Sequence, residues 1–170
     1  MKKRAKNAVP KGLLRVPASR VAAHCLCGDV VMEIDFPARW AWHDHSDASR
    51  RAQGAAYVTY VGSWQKRFRI TKGAANITRY HDAAAQTTRS FCSRCGTPVI
   101  YERVRSPHMV NIPRALFESR TGRQALYHIA IQEAPEWAYR GEPLVPLKGY
   151  PGVLWQRSKA KKPRPMDQLM

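Results

Sequence analysis

Four cysteines in two close pairs carry the clearest chemistry in the sequence: Cys25-Leu26-Cys27, and Cys92-Ser93-Arg94-Cys95 followed by Gly96. In an extended chain residues i and i+2 point to the same side, so Cys25 and Cys27 can present two sulfurs to one point. The second pair has the two-residue spacing of a zinc knuckle, and Gly96 lets the backbone turn sharply after the second ligand. No cysteine is left over. Two such pairs make one tetrahedral site, in which metal–sulfur bonds of about 2.3 Å would place the sulfurs about 3.8 Å apart. Disulfides and ordinary buried thiols are the competing readings. The N-terminus has no continuous apolar segment after its basic start, so no secretion signal is expected and the expected setting is a reducing, cytoplasmic one. Paired cysteines there hold metal more often than they oxidise. Because 64 residues separate Cys27 from Cys92, the ion would join distant parts of the chain and its binding energy would become folding energy.

The elements that must carry these ligands read as short strands. Between Val30 and Phe36 the side chains alternate, with Val30, Met32, Ile34 and Phe36 on one face and Val31, Glu33 and Asp35 on the other, a half-buried strand. Similar segments follow at Ala56 to Val61, Arg67 to Thr71, Pro98 to Tyr101, Met109 to Ile112 and Tyr127 to Ile131, with glycines between them. No long stretch keeps a 3.6-residue apolar period, although 113–119 suits a short helical turn. The pattern predicts a mainly β fold built as an antiparallel meander rather than from βαβ units. There is no internal repeat, no P-loop and no dinucleotide-binding glycine pattern.

At 170 residues and 44% hydrophobic content the chain fits one compact domain with tails. No apolar run approaches the roughly 18 to 20 residues of a membrane-spanning helix. The net charge of +17 is concentrated at the ends: residues 1–20 carry +7, residues 156–170 carry +4, and the body between them keeps +6. The expected organisation is a basic, disordered arm over 1–20, a folded domain over 21–155 and a basic tail over 156–170. Such tails suit a nonspecific grip on nucleic acid through phosphate neutralisation, or serve only as solubilising extensions. A transit peptide is a further reading of the acid-free first 20 residues, although an amphipathic arginine face is poorly developed there.

The combination of Cys25-Leu26-Cys27-Gly28, Arg50-Arg51-Ala52-Gln53-Gly54, Val61-Gly62, Phe68 to Gly73, and Thr88-Arg89-Ser90-Phe91-Cys92-Ser93-Arg94-Cys95-Gly96-Thr97-Pro98 resembles the glutathione-dependent formaldehyde-activating enzyme family, also called the GFA or CENP-V domain. His128-Ile129-Ala130-Ile131 followed by Ala134-Pro135-Glu136-Trp137 looks like that family's last strand and its Pro-x-Trp closure. The resemblance implies a zinc-bound β-tent fold, with a structural zinc on Cys25, Cys27, Cys92 and Cys95. It also implies carbon–sulfur lyase chemistry in which glutathione, or another small thiol, meets a second, catalytic zinc and joins formaldehyde as S-hydroxymethylglutathione. The family holds that second zinc with a Cys-His-Cys-x-x-Cys segment just before the arginine pair. Here the segment reads Asp44-His45-Ser46-Asp47-Ala48-Ser49, which keeps the histidine and loses all three cysteines. A serine hydroxyl stays protonated at neutral pH, whereas a thiol deprotonates near 8.5 and lower on a metal. The expectation is one structural zinc, an unassembled catalytic site, and impaired or lost activity.

His43-Asp44-His45-Ser46-Asp47 still offers two imidazoles and two carboxylates, and in an extended segment His43 and His45 share a face while Asp44 points away. The alternative is a polar surface loop whose aspartates and serines satisfy turns. His45 is the candidate acid–base group and Asp47 the candidate general base. Arg50 and Arg51 are candidates for binding the carboxylates of an acidic tripeptide, since planar guanidinium suits bidentate contact. Their plainer reading is exposed structural arginine. Trp40, Trp42 and Trp64 either line a pocket or pack a core. His24, His81, His108 and His128 have no spacing that raises them above ordinary residues.

Overall fold

The computed structural model describes residues 19–138 and 144–156. The arm at 1–20 and the tail at 156–170 therefore lie, apart from their innermost residues, outside the described residues.

Alternating burial builds the first sheet. β1 (Arg20–His24) pairs antiparallel with β2 (Val31–Asp35), and β5 (Phe68–Lys72) adds to the other edge of β2. Met32 and Ile34 of β2 point inward with no exposed surface, while Asp35 on the opposite face accepts hydrogen bonds from Arg67 and Arg69. The period-2 pattern in the sequence is thus the pattern of the strand.

The second sheet has nine strands. They are β3 (Trp40–Asp44), β4 (Val58–Trp64), β6 (Ile77–Asp82), β7 (Thr87–Cys92), β8 (Pro98–Arg103), β9 (Met109–Pro113), β10 (Tyr127–Ile129), β11 (Leu144–Pro146) and β12 (Val153–Gln156), in the order β11-β12-β10-β3-β4-β9-β8-β7-β6. Pairing is antiparallel throughout except between β10 and β3, which run parallel with His128 opposite His43. The expected meander is interrupted there, because the last part of the chain returns beside β3.

Side chains of both sheets meet in one core: Val21, Ala23, Met32 and Ile34 from the small sheet, and Val61, Val99, Ile100, Val110 and Ile112 from the large one. A second cluster of Trp42, Val58 and Tyr60, joined by Trp40, Tyr101 and Ile129, covers the far face of the large sheet. Gly62 of β4 lies under the Trp40 indole, which donates to Asn111 Oδ1 at 3.0 Å, and a Cβ at Gly62 would overlap that ring. The three tryptophans are thus packing residues in the first instance: Trp42 is buried, and Trp40 meets Trp64 edge-on at 5.0 Å.

A helix, α1 (Asp47–Gln53), follows β3. Its seven residues are too few to show a helical period. Ser46 caps it by accepting from the Ser49 backbone N–H, Asp47 sits in the first turn, and Gly54 ends it in the left-handed conformation. The short helical turn expected over 113–119 is present at Arg114–Leu116.

Candidate functional site

The loop after β1 and the loop between β7 and β8 bring the four cysteines together from the two different sheets. Cys25 and Cys27 sulfurs lie 3.5 Å apart, Cys27 and Cys92 sulfurs 3.8 Å apart, and all four sulfurs fall within 4.8 Å of one another. These separations match the spacing required around one tetrahedral ion. The geometry comes from backbone turns. Gly96 takes a positive φ of 71° and donates its N–H to Cys92 O, and the Val30 N–H points at Cys25 Sγ at 3.3 Å. Arg94 donates to Asp29 at 2.7 Å, and the Leu26 N–H donates to Thr97 Oγ1, so each loop is tied to the other independently of any ion. Thr97, through its side-chain hydroxyl and then its backbone N–H, holds the Cys95 thiol down, whereas desolvation and the neighbouring thiols push Cys27 up, so the clustered sulfurs do not all ionise without a cation among them. Among the described residues no other group of three or more histidine, cysteine or acidic ligand atoms converges in this way. His24 turns away, its Nε2 lying 2.8 Å from Glu118.

The segment Asp44–Ser49 is not a polar surface loop throughout. Asp44 is 2% exposed, and His45 and Ser49 are fully buried. The surface-loop alternative for His43–Asp47 holds only in part: β3 extends to Asp44 and α1 begins at Asp47, so Asp44 and His45 are buried in the corner, while Asp47 is exposed and Asp44 and Ser46 do satisfy the turn and the helix cap. Asp44 Oδ1 accepts from the Ser46 N–H at 3.0 Å, and Oδ2 accepts from Ser49 Oγ at 2.9 Å. The Ser49 hydroxyl in turn accepts from Arg89 Nη2 at 3.1 Å, while Arg89 Nη1 donates to Tyr60 Oη at 3.1 Å. The guanidinium lies 4.5 Å from the centre of the Tyr101 ring. A buried carboxylate, a hydroxyl and a guanidinium therefore form one relay, which satisfies groups that would be costly to bury unpaired. Arg89 stands 40 positions from Ser49. No sequence spacing signals this contact, which depends on the β4-β9-β8-β7 order of the sheet.

On the other face of the same corner three imidazoles gather. His43 and His45 share that face while Asp44 is turned away. The His43 ring lies 4.5 Å from that of His128, and His45 Nε2 lies 2.8 Å from His128 Nδ1. His128 is thus a site residue that spacing alone does not single out, brought in by the parallel β3–β10 pair. Burial, with the neighbouring His43 second, pushes both His45 and His128 down to about 4. Both rings are neutral at physiological pH. Tyr57 packs on His45 at 5.0 Å.

Asp47 and Arg51 face outward, whereas the Arg50 side chain is only 16% exposed. Asp47 accepts from Arg50 Nη2 at 3.1 Å and from Arg51 Nε at 2.7 Å, and its backbone N–H donates to Glu133. Arg50 also donates to the carbonyls of His45 and Glu133, so its guanidinium fastens α1 to the chain after β10. Arg51 is largely exposed. Among the described residues no helix is long and apolar enough to cross a membrane.

Comparison with known proteins accords with this architecture. A crystal structure of a Rhodobacter sphaeroides protein is similar to the chain at a TM-score of 0.50 and 23% identity, covering 58% of this chain and 88% of that one, a likeness of fold. No curated protein matches the chain significantly. Residues 20–133 match the family described as glutathione-dependent formaldehyde-activating enzyme. That span takes in both cysteine pairs, the Asp44–Ser49 corner and Arg89, and the chain belongs to the GFA family.

Proposed function

We propose that this chain is a zinc-binding GFA domain in which a single ion on Cys25, Cys27, Cys92 and Cys95 organises the fold, while carbon–sulfur lyase turnover of glutathione and formaldehyde is impaired or lost. Zinc with four cysteine ligands has a closed shell and a structural role. Its supports are the donor set and the sulfur separations.

The Asp44–Ser49–Arg89 relay carries the second half of the reading. Asp44 and Ser49 stand at two of the three positions at which the family resemblance places catalytic cysteines, and Ser46 stands at the third. Asp44 has both oxygens engaged, Ser46 Oγ is committed to the helix cap, and Ser49 Oγ is held between a carboxylate and a guanidinium. A divalent cation there would have to break these bonds and meet the positive charge of Arg89 at close range. Residual proton transfer falls to His45, a neutral imidazole beside His128, rather than to Asp47, which is tied to two arginines. The remaining role is to bind a small thiol or its adduct near α1.

Metal analysis of the purified full chain, together with a turnover assay on glutathione and formaldehyde, tests this reading. One zinc per chain and no rate above the uncatalysed reaction is the expected result. Two metals per chain, or turnover above the uncatalysed rate, would overturn it.

A further inference from the structure

A cleft of about 500 Å³ lies between the start of α1, the β6–β7 turn and the ends of β7 and β8. That volume falls within the roughly 300 to 1,000 Å³ of small-molecule sites. Its floor follows from strand register. Thr87 pairs with Arg103 and Arg89 with Tyr101, so these four side chains rise from one face of the β7–β8 hairpin. Arg105, just beyond β8, adds a third guanidinium, and Ser46 closes the α1 side.

None of these arginines meets an acid directly, although Arg89 is joined to buried Asp44 through the Ser49 hydroxyl. Among the described residues no carboxylate oxygen lies within 4.0 Å of a nitrogen of Arg89, Arg103 or Arg105. No aspartate or glutamate lines the cleft. The hydrogen bonds of Arg89 go to the neutral oxygens of Ser49 and Tyr60. Arg103 lies over the Trp42 ring, its Cζ 5.8 Å from the centroid, and its Nε is buried without a hydrogen-bond partner among the described residues. A buried donor of this kind is costly to leave unmatched. Converging guanidinium groups in a low-dielectric cleft also repel one another and concentrate a positive potential. The repulsion falls when an anion enters, and planar guanidinium is the side chain best shaped for carboxylate or phosphate oxygens.

We propose that this cleft binds a small organic dianion, a dicarboxylate or a phosphate monoester, with Arg89, Arg103 and Arg105 as its recognition residues. The ring of Tyr101 and the methyl groups of Ala48 and Ala85 offer the carbon skeleton an apolar wall. Bare phosphate would leave most of the volume unused. The inference stands on the arginines and does not require that the chain turn over a thiol adduct.

Isothermal titration of the full, zinc-loaded chain with succinate, butyrate and glycerol phosphate tests it at fixed ionic strength, in wild type, Arg103→Gln, Arg105→Gln and, as a control on the far side of β7, Arg79→Gln. Thermal midpoints without ligand confirm that each variant is folded. Saturable binding of succinate or glycerol phosphate, at least tenfold tighter than butyrate, is expected, weakened at least tenfold in Arg105→Gln and Arg103→Gln and kept in Arg79→Gln. Tighter succinate binding assigns the ligand to the dicarboxylates, and tighter glycerol phosphate binding to the phosphate esters. Absence of saturable binding, equal affinity for butyrate, or binding that both cleft variants retain would overturn the proposal. The last outcome would place the anion outside this cleft.

Discussion

Ser49→Ala is the most direct probe of the Asp44–Ser49–Arg89 relay. The substitution removes one buried oxygen that donates to Asp44 at 2.9 Å and accepts from Arg89 at 3.1 Å, without touching the helix cap, which uses the Ser49 backbone N–H. Hydrogen bonds to charged groups contribute about 1.5–3 kcal/mol each. Asp44 keeps the Ser46 N–H and Arg89 keeps Tyr60 Oη, so neither charge is stripped of all partners and the loss belongs at the lower end, about 3 kcal/mol. For a chain of this size that corresponds to a fall in thermal midpoint of about 6–12 °C. Urea denaturation of the zinc-loaded protein measures it, with an unchanged slope showing that the denatured state is the same. The double variant Ser49→Ala/Arg89→Met then separates the relay from ordinary packing, because partners in one network are non-additive by about 0.5–3 kcal/mol. A single-variant loss below about 0.5 kcal/mol, together with additive behaviour of the pair, would refute the relay as a stabilising unit.

Cys92→Ser should release the metal and unfold the domain, since structural zinc supplies about 10–16 kcal/mol in small peptides and net domain stability is only about 5–15 kcal/mol. Retention of both metal and thermal midpoint, by metal analysis and circular dichroism, would contradict it. Replacing Asp44, Ser46 and Ser49 together by cysteine should raise the metal content from one to two per chain, because the corner already holds side-chain oxygens of residues 44 and 49 within 2.9 Å and places residue 46 one helical turn from residue 49. A count that stays at one would mean that the corner no longer has the family's geometry. The histidine pair predicts a pH dependence. His45 and His128 are held near 4 in the folded chain against about 6.5 in the unfolded one, so protons bind preferentially to the unfolded chain below pH 6.5. Stability is therefore unaffected by them well above pH 6.5 and falls from there towards pH 4, the two hydrogen-bonded rings titrating as a pair. A His128→Asn variant should show a smaller difference in urea midpoint between pH 7 and pH 5 than wild type, and equal differences would count against the buried neutral pair.

What the sequence made legible follows from range. Val30 to Ile34 declares its strand because period-2 alternation is local, and Gly96 declares its turn because positive φ is a property of one residue. The two cysteine pairs were legible as one site although they lie 65 positions apart, because thiols at these spacings have few other uses. α1 was hidden by its length, although Ser46, Asp47 and Gly54 sit where a cap, a first-turn acid and a helix end belong. Arg89 and His128 were hidden for a different reason. Each reaches the Asp44–Ser49 corner by sheet topology, Arg89 from β7 on one face and His128 from β10 on the other. The loss of three cysteines was plain in the sequence, but their absence alone cannot distinguish an eroded surface loop from a rebuilt interior. Burial distinguishes them. An eroded ligand set has no reason to keep Asp44 and His45 out of water, whereas a buried carboxylate joined through Ser49 to Arg89 is stable only if its partners are kept together. The corner is held by hydrogen bonding, and beside it Arg103 and Arg105 line a cleft without a direct acid partner among the described residues.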